Sequence, residues 1–263
     1  MSAAPQRFRT FRRAAVTLAA AAAVYEGFAR SGLFPAALAP TLPTVGRALL
    51  GMIADGTMVG HALYTLYRVL AGFALAACVG LPLGILMARF RPVEQFFLPL
   101  VSVLMPIPSL AWVPLFILWF GLGNTATILI VFYAATFPMT FNTWTGVRGV
   151  NPLWLRAAGA MGAEGRTLFW KVMVPGAAPF IITGLRQAFV RAWIAVVGGE
   201  MIAASAWGLW WVIFDAKEFL NTDVMLAALA VIGVLGLAFE RLVFGRLEHA
   251  TVQRWGMVRE AKG

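Results

Sequence analysis

The chain has 263 residues, of which 61% are hydrophobic and only 12% are charged, and its mean hydropathy is +0.82. This composition excludes a soluble globular domain of that length and indicates an integral membrane protein surrounded by a lipid bilayer. The net charge of +10 does not indicate a nucleic-acid partner, because the arginines lie in the gaps between apolar runs and form no single basic stripe with exposed aromatic residues.

Apolar windows long enough to cross roughly 30 Å of hydrocarbon recur along the whole chain. We therefore predict an all-α, polytopic membrane protein with six transmembrane helices, at about residues 14–30, 66–88, 95–119, 124–147, 177–204 and 224–244. An even number of crossings places both termini on the same side of the membrane.

The N-terminal window has a second interpretation. Residues 1–30 combine a basic start with an alanine-rich run, which is also typical of a cleaved secretory signal peptide. Cleavage would leave five spans without changing the side on which residues 148–175 lie. In the segment that follows, residues 31–62, we predict a short surface helix at 44–53 and a turn at Asp55-Gly56.

The third window should not form a regular helix. Proline lacks the backbone N–H that a helix needs and obstructs the preceding turn, and this window carries Pro99, Pro106, Pro108 and Pro114. Carbonyls freed at membrane depth are tolerated only against protein or a water-filled cavity. Ser109 and Trp112 lie beside the predicted break. They either line a transport path or pack at the kink.

Between the fourth and fifth windows lies a segment polar enough to stay outside the bilayer. Asn151-Pro152 is typical of a helix start, with an N-cap side chain followed by proline at the first helical position. We predict one short helix at 153–161, a hinge or close-approach point at Gly162, and a second helix at 163–172 that ends before Pro175.

The fifth window holds three charged residues that we expect to be buried: Arg186, Arg191 and Glu200. An arginine at mid-membrane costs about 2.5 to 3.5 kcal/mol on insertion scales, so each charge should face protein or water. Arg186 is close enough to the window's end to reach the interface. Arg191 and Glu200 lie about half a turn out of phase, so their partners should be on other spans. Either Arg191 is an electropositive element of an anion path, with Glu200 as a further candidate path residue, or both belong to structural ion pairs. Close helix approach is expected at Gly184, Gly198 and Gly199.

Basic residues are distributed unequally between the two sides of the membrane. Few lie on one side (Arg30, Arg47 and Lys217), and many on the other (Arg7, Arg9, Arg12, Arg13, Arg89, Arg91, Arg148, Arg156, Arg166, Lys171, Arg241, Arg246, Arg254, Arg259 and Lys262). The positive-inside rule therefore places both termini and residues 148–175 in the cytoplasm.

The spacing within residues 156–175 resembles the signature loop of permease subunits of binding-protein-dependent ABC importers: a Glu-Ala-Ala triplet, three residues, glycine, nine residues, then Ile-x-Leu-Pro. Here Arg156-Ala157-Ala158 is the triplet, with arginine in place of the glutamate, and Gly162 is the glycine. Val172, Val174 and Pro175 complete the register. The resemblance implies a coupling helix that docks into a groove on an ATPase subunit, with Arg156, Ala157, Ala158, Gly162 and Pro175 as coupling residues.

From residue 61 to 255 the chain is similar to the nitrate, sulfonate and taurine branch of these permeases, in stretches 67–73, 105–114, 191–194 and 222–224. The resemblance implies a type I permease fold like that of the methionine importer, with an N-terminal helix and extracytoplasmic segment at 1–60, a core at 61–247 and a cytoplasmic tail at 248–263. It also implies a location in the bacterial inner membrane, and as partners a second copy, an ATP-binding cassette ATPase and a periplasmic binding protein.

The resemblance implies a small organic sulfonate such as taurine, or nitrate, as substrate; aromatic carboxylates and thiamine-pyrimidine precursors are alternatives. The sequence has no Gly-x-x-x-x-Gly-Lys-Ser/Thr loop, so ATP and Mg²⁺ should be bound by the ATPase, with no cofactor or metal and no catalytic residue in this chain. An autonomous secondary transporter is a rival, but it predicts inverted repeats that the two halves do not show. A membrane-embedded enzyme lacks a candidate nucleophile.

Overall fold

A computed structural model describes residues 4–203 and 206–248, and every regular element in these two stretches is a helix. This confirms the all-α prediction. Residues 249–263, which hold most of the predicted C-terminal tail with Arg254, Arg259 and Lys262, lie outside the described residues.

The helices follow one another with short connections. In chain order they are α1 Ala4–Arg30, α2 Leu42–Ala54, α3 Thr57–Arg89, α4 Arg91–Leu104, a 3₁₀ turn Ser109–Trp112, α5 Val113–Phe120, α6 Asn124–Arg148, α7 Pro152–Ala160, α8 Gly165–Leu168, a π turn Phe169–Met173, α9 Val174–Gly198, a π turn Gly199–Ala203, α10 Leu209–Glu218, α11 Thr222–Phe239, a π turn Glu240–Phe244 and α12 Gly245–Glu248.

Four continuous helices are long and apolar enough to cross a membrane, and they coincide with the second, fourth, fifth and sixth predicted windows: Thr57–Arg89, Asn124–Arg148, Gly165–Ala203 and Thr222–Leu247. The bent pair Arg91–Leu104 and Ser109–Phe120 accounts for the third window. The described residues therefore show four spans, or five if this pair crosses as one. Helix α1 covers the first predicted window but is not in this set, so a sixth crossing stays a prediction.

The break in the third window is where the prolines predicted it. Helix α4 ends at Leu104, the chain turns by 92°, and helical geometry resumes at Ser109. Pro108 has no N–H to bond the Leu104 carbonyl in a continued helix. The Tyr133 hydroxyl on α6 donates to that oxygen instead, at 2.8 Å, and so does the backbone N–H of Ile107, at 3.2 Å.

The second helix of the polar segment differs from the prediction. It does not end before Pro175 but runs unbroken from Gly165 to Ala203. The π turn Phe169–Met173 lies directly before the proline. Its looser hydrogen-bond pattern accommodates a residue without an N–H, and the helix continues into the membrane.

Helix α6 is the centre of the bundle. Buried residues make up 56% of its most apolar stretch, against 17 to 28% in the other three spans. Helices α3 and α9 both pack against it, and the core they share contains Val69, Val131, Met139, Ala192 and Val196. The outward faces of the other spans are apolar and exposed in a single copy, as expected of surfaces that meet lipid or another subunit.

Close packing of α3 on α6 depends on glycines that no large side chain could replace. A Cβ on Gly72 would lie 2.6 Å from Val131 Cγ1 and 2.7 Å from the Ile128 carbonyl oxygen. The predicted close approach on α9 is also present: a Cβ on Gly184 would lie 2.5 Å from Asn142 Cβ, and Gly198 and Gly199 contact Leu110 and Thr127.

The predicted surface helix at 44–53 is confirmed as α2, and Gly56 turns the chain with a φ of +80° before α3 begins. Helix α2 packs on α11 through a cluster that includes Val45 and Ile232. The predicted N-terminal unit at 1–60 and core at 61–247 therefore share contacts across their boundary.

We expect Gly72→Ala to lower the stability of the folded protein by about 1–3 kcal/mol, because the added methyl group meets backbone as well as side-chain atoms. The measurement is the temperature at which detergent-solubilised protein loses its monodisperse peak in size-exclusion chromatography. Gly51→Ala in α2 is the matched control: nothing lies within 4 Å of its Cβ, so this helical substitution should be neutral or stabilising. Equal midpoints for the two variants would contradict the packing account.

Candidate functional site

A cavity of about 730 Å³ lies at the broken third span. Its walls come from the break itself, from α6 and from α9: Met105, Pro106, Ile107, Pro108, Ser109, Leu110, Tyr133, Ala134, Phe137, Pro138, Arg186, Gln187, Val190, Arg191 and Ile194. The lining is mostly apolar with a few polar groups, a composition typical of small-molecule sites.

Two of the four predicted path residues line the cavity, and the other two do not. Ser109 and Arg191 both line the cavity, one from the break and the other from α9. Trp112 lies behind the lining and packs its ring against Tyr133, with 5.0 Å between ring centroids. Trp112 therefore supports the wall that Tyr133 forms. Glu200 lies elsewhere.

Two arginines line this cavity, and they differ in whether a carboxylate balances their charge. Arg186 is half-exposed, and its Nε lies 3.1 Å from Glu240 Oε1 on the π turn after α11. Arg191 is exposed, and within the described residues no carboxylate forms an ion pair with it. The expectation that both arginines are buried is wrong for this single copy. The cavity thus carries one compensated and one uncompensated positive charge.

Glu200 is fully buried in a cluster of charged and polar groups near the start of α3. Its Oε1 accepts a hydrogen bond from Arg68 Nη1 at 3.0 Å, and its Oε2 accepts from the Thr65 hydroxyl at 2.9 Å. The backbone N–H of Trp210 also donates to Oε2, at 3.2 Å. These contacts match the structural alternative for Glu200, in which its partner lies on another span.

Arg68 links this cluster to two further elements. Its Nε donates to Asn124 Oδ1 at the start of α6, at 2.8 Å, and its Nη1 also donates to the Trp207 carbonyl oxygen. Only 2% of Arg68 is exposed. Our sequence interpretation missed this buried charge, although Arg68 is the one charged residue in the second apolar window and such a residue requires a partner.

The connection before α10 is shaped around the same pair. Gly208 has a φ of +144°, and a Cβ there would meet the Glu200 carboxylate and the Arg68 guanidinium. Its backbone N–H donates to His61 Nδ1 at 3.1 Å, and the next N–H, that of Leu209, donates to the Thr65 hydroxyl at 2.9 Å. Side chains of α3 therefore satisfy the first donors of α10.

Helix α7, in the polar segment between α6 and α9, is capped at both ends. The Asn151 side chain accepts from the Leu153 N–H at 2.9 Å, which confirms the predicted N-cap, and α7 begins at Pro152. At the other end, the N–H of Ala163 donates to the Ala158 carbonyl, and the N–H of Gly162 to that of Gly159, each at 2.9 Å. This pair of bonds defines a Schellman motif.

Gly162 supplies the left-handed residue of that motif, with a φ of +80°. Nothing lies within 4 Å of a Cβ built on it, so it is not a close-approach point within this chain. The spacing from Ala158 to Gly162 in the signature register is the spacing that the motif requires. Ala158 is buried beneath the turn, whereas Arg156 and Ala157 are exposed.

The outer surface of α7 carries large apolar side chains. Leu153 is 61% exposed, Trp154 46%, and Met161, just after the helix, 81%. Pro175, the last residue of the signature register, is not part of α7 and lies inside the long helix that begins at Gly165. A short helix outside the apolar spans with such a surface is typical of a contact with another protein.

Comparison with known proteins agrees with this architecture. Residues 80–248 match the family of binding-protein-dependent transport system inner membrane components, and the chain belongs to this family of ABC importer permeases. It is therefore a multi-pass transport protein of the membrane.

Two curated relatives illustrate the range of the family. The taurine transport system permease protein of Escherichia coli is 37% identical over 186 residues, which cover 71% of this chain and 67% of the relative. The bicarbonate transport system permease protein of Synechococcus elongatus is 31% identical over 201 residues, covering 76% and 70%.

A solved structure confirms the fold. A chain of the MetNI methionine ABC transporter, in an inward-facing conformation, superposes with a TM-score of 0.65 at 19% sequence identity. The alignment covers 75% of this chain and 97% of the other. The predicted methionine-importer-like permease fold is thus confirmed.

We expect Arg68→Met to lower stability by about 3–5 kcal/mol, because it leaves the Glu200 carboxylate buried without its counter-charge. Thermal midpoint and yield of monodisperse protein are the measurements. Arg68→Met combined with Glu200→Gln should recover part of the loss, since no unpaired charge is left. Lys217→Gln is the control, because the Lys217–Glu218 pair is exposed and worth at most about 1 kcal/mol. A loss no larger than the control's would show that the buried pair does not hold the fold.

Proposed function

We propose that this permease works as one half of a twofold dimer that forms the translocation path, and that residues 151–175 couple the path to an ATP-binding cassette ATPase. The observation that carries the proposal is the exposed, Schellman-terminated helix α7 in the signature register. One chain carries one such helix. Two ATPase subunits that enclose two nucleotides would need two, and a twofold pair supplies them.

The coupling residues would have different tasks. Arg156 and Ala157 are exposed and would meet the ATPase, while Ala158 and Gly162 set the end of α7 and the direction in which the chain leaves it. Pro175 lies within the helix that leads from this contact into the membrane. Arg156 replaces the glutamate of the signature, so we expect its ATPase partner to present an acidic or neutral group here.

The orientation that fits this role places α7 and both termini in the cytoplasm of a bacterium, with the protein in the inner membrane. The excess of basic residues on that side supports it. A periplasmic binding protein would deliver the substrate to the opposite face. ATP and Mg²⁺ would bind to the ATPase; among the described residues no group of three or more His, Cys, Asp or Glu side chains could hold a metal ion.

For the substrate we propose a small anion. The leading candidates are an organic sulfonate such as taurine, and nitrate. The uncompensated charge of Arg191 in the cavity and the taurine and bicarbonate permeases among the relatives support this choice. Ser109 would contribute a hydroxyl to the path, Trp112 would hold its wall, and Glu200 would act from outside it by fixing the end of α9.

Gly162→Leu should abolish transport while the protein still inserts, because a β-carbon in the left-handed conformation costs about 1–2 kcal/mol and the side chain would project into the ATPase contact. The measurements are uptake and ATPase stimulation by loaded binding protein in proteoliposomes. Gly162→Asn should keep more activity, since asparagine tolerates this conformation. Gly159→Ala, one turn earlier with open space around it, should be neutral. Normal stimulation in Gly162→Leu would refute the coupling role.

Cysteine labelling tests the orientation. In a Cys78→Ala background, which removes the single cysteine of the sequence, Arg156→Cys should react with a membrane-impermeant maleimide only from the cytoplasmic side, and Lys217→Cys only from outside. Both side chains are exposed, so burial does not prevent labelling. Reversed labelling would leave α7 unable to reach an ATPase.

A further inference from the structure

The lining of the cavity contains a second polar side chain beside Arg191. Gln187 lines the cavity one helical turn before Arg191, and residues four apart on a helix share a face. Both side chains are exposed in the single copy. The pair therefore presents one amide and one guanidinium group to the same space.

The hydrogen bonds of Asn142 determine which end of the Gln187 amide faces that space. Asn142 Nδ2 donates to the Pro138 carbonyl at 2.8 Å and to Gln187 Oε1 at 3.1 Å. A backbone carbonyl can only accept, so the nitrogen of Asn142 is identified by its first bond. Its second hydrogen then engages the oxygen of Gln187. The amide nitrogen of Gln187, with its two N–H donors, is left to point away from Asn142.

Helix packing holds Asn142 in place. Gly184 on α9 has no side chain, and a Cβ there would lie 2.5 Å from Asn142 Cβ. The glycine therefore lets α6 approach α9 at this level, one turn before Gln187. Because Asn142 is also bonded to its own helix through Pro138, its orientation does not depend on a ligand.

We propose that Gln187, oriented by Asn142, is a specificity-determining residue of the cavity and donates its amide N–H groups to the oxygens of a bound oxyanion beside Arg191. The inference rests on the proposed function, in which the cavity carries an anion, and adds residues that recognise its oxygens. Arg191 supplies the positive charge, because the nearby charge of Arg186 is compensated by Glu240. Guanidinium and amide N–H groups are hydrogen-bond donors, so this pair favours sulfonate or carboxylate oxygens over a cation. Asn142 is a positioning residue that acts through Gln187.

Reaction rates of a cysteine in the cavity test this proposal without a known substrate. Ser109→Cys in the Cys78→Ala background of the full chain in proteoliposomes places a thiol in the lining. Two thiosulfonate reagents of similar length are used, one bearing a sulfonate and one bearing a trimethylammonium group. The ratio of their rate constants reports how strongly the cavity favours the anion.

Gln187→Leu should lower this anion-to-cation ratio by about tenfold, the size expected for one lost hydrogen bond to a charged group. Arg191→Gln should lower it by about tenfold or more, because it removes the charge. Asn142→Ala should lower it by about twofold to threefold in the parent, and should have no further effect in the Gln187→Leu background, since it acts only through Gln187. Thr183→Leu is the matched control: it lies one turn before Gln187 on the same helix, outside the cavity lining, and its hydroxyl donates to the Pro179 carbonyl of its own helix.

The outcomes separate the inference from the function on which it rests. If Gln187→Leu gives the ratio of Thr183→Leu while Arg191→Gln lowers it, the anion cavity stands and the role of Gln187 is refuted. If Asn142→Ala still lowers the ratio in the Gln187→Leu background, Asn142 does not act through Gln187. If Arg191→Gln is also without effect, the anion path itself fails. Gln187→Ala serves as a second variant should Gln187→Leu fail to give monodisperse protein.

Discussion

One buried ion pair connects four helix ends of this fold. Arg68 on α3 and Glu200 at the end of α9 are both withdrawn from solvent, so each would carry a large desolvation cost without the other. Their remaining hydrogen-bonding capacity is used by Thr65, Asn124, the Trp207 carbonyl and the Trp210 N–H in the first turn of α10. A single electrostatic contact thus ties together the start of α3, the start of α6, the end of α9 and the start of α10, and it does so at one end of the bundle.

The break in the third span is the second constraint, and α6, the central helix of the bundle, compensates for it. Pro106 and Pro108 separate α4 from the helical turn at Ser109, and a carbonyl left without its helical partner needs another donor inside the membrane. Tyr133 on α6 supplies that donor, and its ring also packs against Trp112. The cavity lies at the 92° bend, between the broken span, α6 and α9. The irregular backbone and the cavity are therefore one feature with one cause.

A single helix joins three regions of the molecule. The stretch Gly165–Ala203 begins within the proposed coupling segment, carries Gln187 and Arg191 along the cavity, and ends in the π turn that holds Glu200. A displacement at its Gly165 end, which the proposed coupling to an ATPase would supply, needs no flexible link to reach the cavity. Its π turns are the local irregularities along this length, and both lie outside the stretch that lines the cavity.

The amino-acid sequence by itself determined the elements whose causes are local. The length of the apolar windows predicted the spans, and the prolines predicted the break in the third one. Asn151-Pro152 predicted the start of α7, and the spacing of Ala158 and Gly162 indicated the family. The tertiary structure decided what depends on neighbours in space. Arg68 contacts Glu200 across more than a hundred residues of chain. Arg186 pairs with Glu240, whereas Arg191 has no carboxylate partner among the described residues. A π turn directly before Pro175 lets the helix continue through the proline, which the sequence rules for proline do not predict. Periodicity reports which face of a helix is apolar, but the partner of a charged side chain is set by the packing of helices far apart in sequence, and only the assembled bundle specifies it.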